Sequence, residues 1–112
     1  MSSPHYSRTK AIVRHAEKRA AQRYGVDPSV VKDCERLIKK ERKFLARWKA
    51  DKFHSNEIDT RKIQAVRIIH WHASSREQWR VETENKTRYR VVFDTAIERV
   101  VTFLPLRPED MP

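Results

Sequence analysis

A histidine followed by two arginines at four-residue spacing, His15, Arg19 and Arg23, is the first group in this chain able to do chemistry. On a helix that spacing puts all three on one side, with Arg14 and Lys18 close by. Guanidinium forks match the geometry of phosphate oxygens, and imidazole exchanges protons near neutral pH. The row therefore reads as a phosphate-binding row with acid–base capacity, or as a solvated face in which Glu17 pairs with neighbouring cations. A second group is the run Lys39-Lys40-Glu41-Arg42-Lys43, continued by Arg47, Lys49 and Lys52. Each phosphate neutralised by such a run releases condensed counterions, which favours nucleic acid at low salt without reading its sequence.

Two further groups lie in the second half. In His70-Trp71-His72 an extended backbone puts both histidines on one face and Trp71 on the other. The pair suits half-buried strand histidines, proton transfer or RNA contact. A metal site is not expected, because no cysteine or carboxylate cluster at ligand spacing accompanies it. Trp79-Arg80 and Tyr89-Arg90 interleave aromatic and cationic side chains, as base-stacking sheets do, although strand alternation sends each pair to opposite faces. A single glycine excludes a P-loop and a Gly-rich dinucleotide loop, and no nucleophile elbow is present. No cofactor is expected.

The bulk numbers set the frame. The 112 residues suffice for one domain, and 38% hydrophobic residues suit a modest core. The formal net charge of +10 predicts accumulation near polyanions. That charge is uneven: residues 1–62 hold 17 Lys and Arg against 8 Asp and Glu, whereas residues 63–112 hold 8 against 7. The lone cysteine, Cys34, sits in an apolar helical pattern, so a buried thiol in a reducing compartment is expected. No apolar run reaches membrane-spanning length and no signal peptide is visible, which predicts a cytoplasmic protein without membrane association.

The elements that must position these groups follow from periodicity. Residues 1–8 read as a flexible lead-in, residues 9–106 as a single domain and residues 107–112 as a flexible tail. Ile12, Ala16, Ala20 and Tyr24 form one helical stripe that stops at Gly25. Asp27-Pro28 starts a second helix with Val30, Val31, Cys34, Leu37, Ile38, Phe44, Leu45 and Trp48 on its apolar face. Its other face is assigned Lys32, Arg36, Lys39, Lys40, Arg42, Lys43, Arg47 and Lys49. Strand-like runs follow at about 63–72, 78–83, 87–93 and 99–104, joined by short connections that favour an antiparallel meander. The fold class is α+β, two N-terminal helices packed on a four-stranded antiparallel sheet.

The segment from Arg14 to Gly25 resembles the opening helix of a group of small phage and bacterial proteins. Tyr89 to Asp94 and Val100 to Pro105 resemble the same group's final hairpin. In architecture and composition the chain is similar to RelE-like and BrnT-like small ribonuclease toxins. That resemblance implies a metal-independent endoribonuclease, in which a base takes the 2′-hydroxyl proton, the oxygen attacks phosphorus, and an acid protonates the leaving 5′-oxygen. His15, His70 and His72 are the candidates for proton transfer, and Arg90 joins them to hold the phosphorane charge, with Arg19 and Arg23. The phosphate-binding set is Arg14, Arg19, Arg23, Lys39, Lys40, Arg42, Lys43, Arg47 and Lys49. The expected partner is nucleic acid, RNA first. A non-catalytic nucleic-acid binder, or a protein docking an acidic antitoxin or host protein, fits the same charge.

Overall fold

A computed structural model describes residues 4–49, 62–71 and 74–111. Helix α1 spans Pro4–Tyr24 and helix α2 spans Pro28–Lys49. Strands β1 (Ala65–His70), β2 (Arg76–Glu82), β3 (Arg88–Asp94) and β4 (Arg99–Leu104) form one antiparallel sheet in the order β1-β2-β3-β4. This is the α+β arrangement that the sequence predicts, helices first and meander second. One expectation is corrected at the N-terminus: residues from Pro4 onward are helical, not a loose lead-in. Proline at the first helical position loses nothing, since its missing N–H has no helical acceptor there.

Gly25 ends α1 with φ of +65°, the left-handed conformation that a side chain resists, and its N–H bonds Ala21 O at 3.0 Å. Asp27 then accepts from the backbone N–H of Ser29 at 2.9 Å and from the Ser29 hydroxyl, which fixes the start of α2. The connector is three residues long, so the helices form a tight hairpin.

Both helices cover the sheet face that carries Trp79, Val81, Tyr89, Val91, Phe93, Val100 and Phe103. Ala16 and Ala20 of α1, and Val31, Cys34, Leu37 and Ile38 of α2, complete the core. Trp79, Val91 and Phe103 are cross-strand partners in one row, fully removed from solvent. Burying each contributes roughly 1.5–3 kcal/mol. Burial also pushes the Cys34 thiol up to about 12, so it is a small apolar group rather than a nucleophile.

Two places break the regular ladder. Val92 pairs with Thr102 but Phe93 pairs with Val100, so β4 carries an extra residue at Val101. The Val100 N–H is met there by Glu35 of α2 at 3.1 Å. At the other end the Tyr24 hydroxyl donates to Leu104 O and accepts from Arg90 N at 3.2 Å, bridging β3 and β4 where they separate.

The expected loose tail is the second correction. A 3₁₀ turn at Pro108–Asp110 lies against the sheet, and Asp110 is completely buried. Its carboxylate takes bonds from Arg107 Nε at 3.0 Å, Arg107 Nη2 at 3.2 Å and Arg107 N at 3.0 Å. Among the described residues no helix is long and apolar enough to cross a membrane.

Candidate nucleic-acid interface

The apolar stripe of α2 faces the sheet, which leaves its opposite side to solvent. Lys32, Arg36, Lys39, Lys40, Lys43 and Arg47 recur there at helical spacing over about 22 Å of helix. Five of them, with Glu35, line a shallow groove of about 460 Å³. Lys32, Arg36, Lys40, Lys43 and Arg47 are exposed and Lys39 is half-buried. Among the described residues Lys32, Lys39, Lys40 and Lys43 make no ion pair, and Arg36 approaches Asp33 only at 4.0 Å in an exposed pair worth little.

The cations of the sheet behave differently. Arg67 bonds Glu77 at 3.1 Å, Arg76 bonds Asp94 at 2.8 Å, Arg88 bonds Glu82 at 3.2 Å and Arg99 bonds Glu35 at 3.1 Å. The uneven charge in the sequence therefore corresponds to two kinds of cation: arginines that hold the sheet together and helix lysines that face water. The lysine stripe of α2 presents an uncompensated field to a ligand.

The structure redistributes the residues expected at a site. Arg42 does not belong to the solvent stripe. It is four residues from Ile38 and three from Leu45, so its guanidinium turns toward the sheet, 3.5 Å from Glu77 and 5.8 Å from the Phe93 ring centroid. Arg90 also serves the fold: its Nε donates to Gln78 at 2.6 Å and its Nη1 to Pro105 O at 3.1 Å. Arg14 and Arg23 are exposed on α1, while Arg19 is half-buried and donates to Gln22 at 3.1 Å. Lys49 closes α2.

The histidines do not gather. His15 lies in a cleft of about 390 Å³ with Arg8, Ala11, Ile12, Arg76, Val101 and Thr102, at the β4 edge. His70 contributes its backbone to β1, the opposite edge, three strand spacings or about 14 Å away. His72 lies outside the described residues. Arg90, opposite Leu104, is two residues along the sheet from the Thr102 position, about 7 Å. The expected His15, His70 and Arg90 constellation thus spreads over two edges and a strand end. Among the described residues no group of three His, Cys, Asp or Glu side chains is placed to hold a metal.

Sequence reasoning missed Glu35, Glu77, Asp94 and Asp110, four carboxylates buried beside arginines. Glu35 was legible as a carboxylate four residues after Val31 on the buried face. Glu77 and Asp94 carried no such signal, because their arginines come from other elements, and the local Arg107–Asp110 pair was hidden in a stretch that reads as a loose tail. Comparison with protein families, characterised proteins and solved structures gives no match to this chain, so the geometry alone bears on function.

Proposed function

We propose that the protein binds nucleic acid, RNA first, through the solvent face of α2. The observation that carries this reading is the contrast between Lys32, Lys39, Lys40 and Lys43, unpaired among the described residues, and the carboxylate-paired arginines of the sheet. A stripe of mobile ammonium groups without a concave, shaped polar site recognises phosphate charge rather than base identity. A cytoplasmic setting accords with a single buried thiol. The test is fluorescence anisotropy with a labelled single-stranded RNA over a salt series. Four lysines neutralise about four phosphates, so log Kobs falls against log salt with a slope of about −3. A flat salt dependence overturns the reading, and tight binding to an acidic protein instead would assign the face to an antitoxin or host partner.

A second reading, a metal-independent endoribonuclease of RelE-like type, has one observation in its favour. The cleft at the β4 edge puts the exposed His15 imidazole in company with Arg8 and Arg76, a proton carrier beside two guanidinium groups. It predicts cleavage of labelled RNA in excess EDTA that His15→Ala abolishes. Intact RNA with the wild-type protein removes the enzyme and leaves the binder.

A further inference from the structure

The sheet face turned away from the helices carries its own arginine group. Arg80 pairs across with Arg90, and Glu82 with Arg88, so Arg80, Arg88 and Arg90 share that outer face. The chain that leaves β4 turns back across them. Arg90 Nη1 donates to Pro105 O at 3.1 Å, Arg80 Nη1 to Glu109 O at 3.5 Å and Arg88 Nη1 to Asp110 O at 3.0 Å. Arg80 Nη1 also stands 3.9 Å from the Asp110 carboxylate. Among the described residues none from Pro105 onward belongs to the hydrophobic core. The polar contacts from the sheet to this strap are thus guanidinium groups reaching carbonyl and carboxylate oxygens.

We propose that Arg80, Arg88 and Arg90 form a phosphate site on the outer face of the sheet, kept closed by the 105–110 strap, whose oxygens occupy the positions that phosphate oxygens take. The inference rests on the nucleic-acid reading only for the class of its ligand, a phosphodiester or terminal phosphate. Arg88 keeps Glu82 at 3.2 Å, and Arg107 embraces Asp110 with two side-chain nitrogens. Arg80 and Arg90 thus bring cation beyond what the buried carboxylate needs and meet the strap largely through its carbonyl oxygens. Forked N–H groups suited to carboxylate and carbonyl oxygens are equally suited to phosphate. Opening costs no apolar core, so exchange between strap and ligand is an exchange of like bonds. A bound phosphate then releases residues 105–111 from the sheet, and a second basic surface joins that of α2.

The experiment is a titration of the full nitrogen-labelled chain with inorganic phosphate, and separately with a short single-stranded RNA carrying a terminal phosphate. The signals followed are the arginine Nε–Hε resonances and the backbone amides of residues 106–111. In wild type, phosphate is expected to shift the Arg80, Arg88 and Arg90 resonances and to sharpen the strap amides. In Asp110→Asn the apparent affinity is expected to be about tenfold tighter, as for a site freed from a closure populated about nine-tenths of the time. Outer-face arginines that ignore phosphate in wild type overturn the inference, as does an unchanged affinity in a folded Asp110→Asn. If that variant does not fold, the wild-type titration decides alone. In Lys39→Gln/Lys40→Gln/Lys43→Gln the outer-face response to inorganic phosphate is expected to persist. Should that variant keep full RNA affinity, the α2 reading fails while the outer-face site stands.

Discussion

The carboxylate of Glu35 on α2 accepts the backbone N–H of Val100 on β4 at 3.1 Å, across 65 positions of sequence. The same oxygen takes Arg99 Nε at 3.1 Å. The extra residue at Val101 takes the Val100 amide out of the regular ladder, and a helix side chain supplies the missing acceptor. The bond thereby fixes α2 against the β4 edge and leaves the lysine stripe of the same helix pointing outward.

Removing that acceptor strands a buried donor. Glu35→Ala is expected to lower stability by about 2–3 kcal/mol, because an unsatisfied buried amide costs its full desolvation. Glu35→Gln keeps an oxygen for Val100 and loses only the charge facing the partly exposed Arg99, so its cost is smaller, about 1 kcal/mol. Urea unfolding followed by circular dichroism checks both. Equal losses in the two variants would mean that charge, not the amide acceptor, matters.

The α2 lysines should separate binding from folding. Lys39→Gln/Lys40→Gln/Lys43→Gln is expected to make the RNA salt slope shallower by about 2. Its unfolding midpoint should barely move, since substitutions at such sites stay within about 0.5 kcal/mol each. The same measurements on Arg42→Gln should give the converse: little change in slope and a clear loss of stability, because Arg42 faces Glu77 and Phe93.

Acid should loosen the sheet ends before it unfolds the core. The Arg107 side-chain hydrogen bonds hold the Asp110 carboxyl below the usual range, against the effect of its burial. For Asp94, burial pushes upward, and hydrogen bonds from Ser75, Ala96, Arg76 and Ile97 outweigh it. A carboxyl lowered in the folded state stabilises fully above its unfolded value and loses that contribution as pH falls through its folded one. Amide exchange of residues 107–111 and of the 94–98 turn is therefore expected to accelerate below about pH 4. Exchange that is independent of pH in that window, after correction for intrinsic rates, contradicts the assignment.

Gly25→Ala tests the hairpin between the helices. A Cβ at this position meets nothing within 4 Å, so any loss arises from the left-handed backbone alone. That conformation costs an alanine roughly 1–2 kcal/mol, and thermal unfolding should show a loss of this order. A variant as stable as wild type would mean that the connector relaxes to another conformation.

Much of this protein was written locally. The stripe from Ile12 to Tyr24 and its stop at Gly25 specified α1, and alternation from Tyr89 to Phe93 specified β3 together with its buried face. Arg42 marks where local reading fails. Its charge placed it with the lysines, although its spacing from Ile38 put it on the buried side, and the carboxylate that accommodates it there comes from β2. Pro4 and the residues after it lacked an apolar period, yet a helix can form without one.

The sequence by itself determined element types, their order and the excess of positive charge in the first half, because periodicity and composition are properties of neighbouring residues. Only the tertiary structure decided which cations remain open to a ligand. Pairing depends on carboxylates brought in from distant parts of the chain: Glu77 for Arg42 and Arg67, Asp94 for Arg76, and Asp110 for Arg80. The same long-range assembly put His15 and the His70 backbone on opposite edges of the sheet.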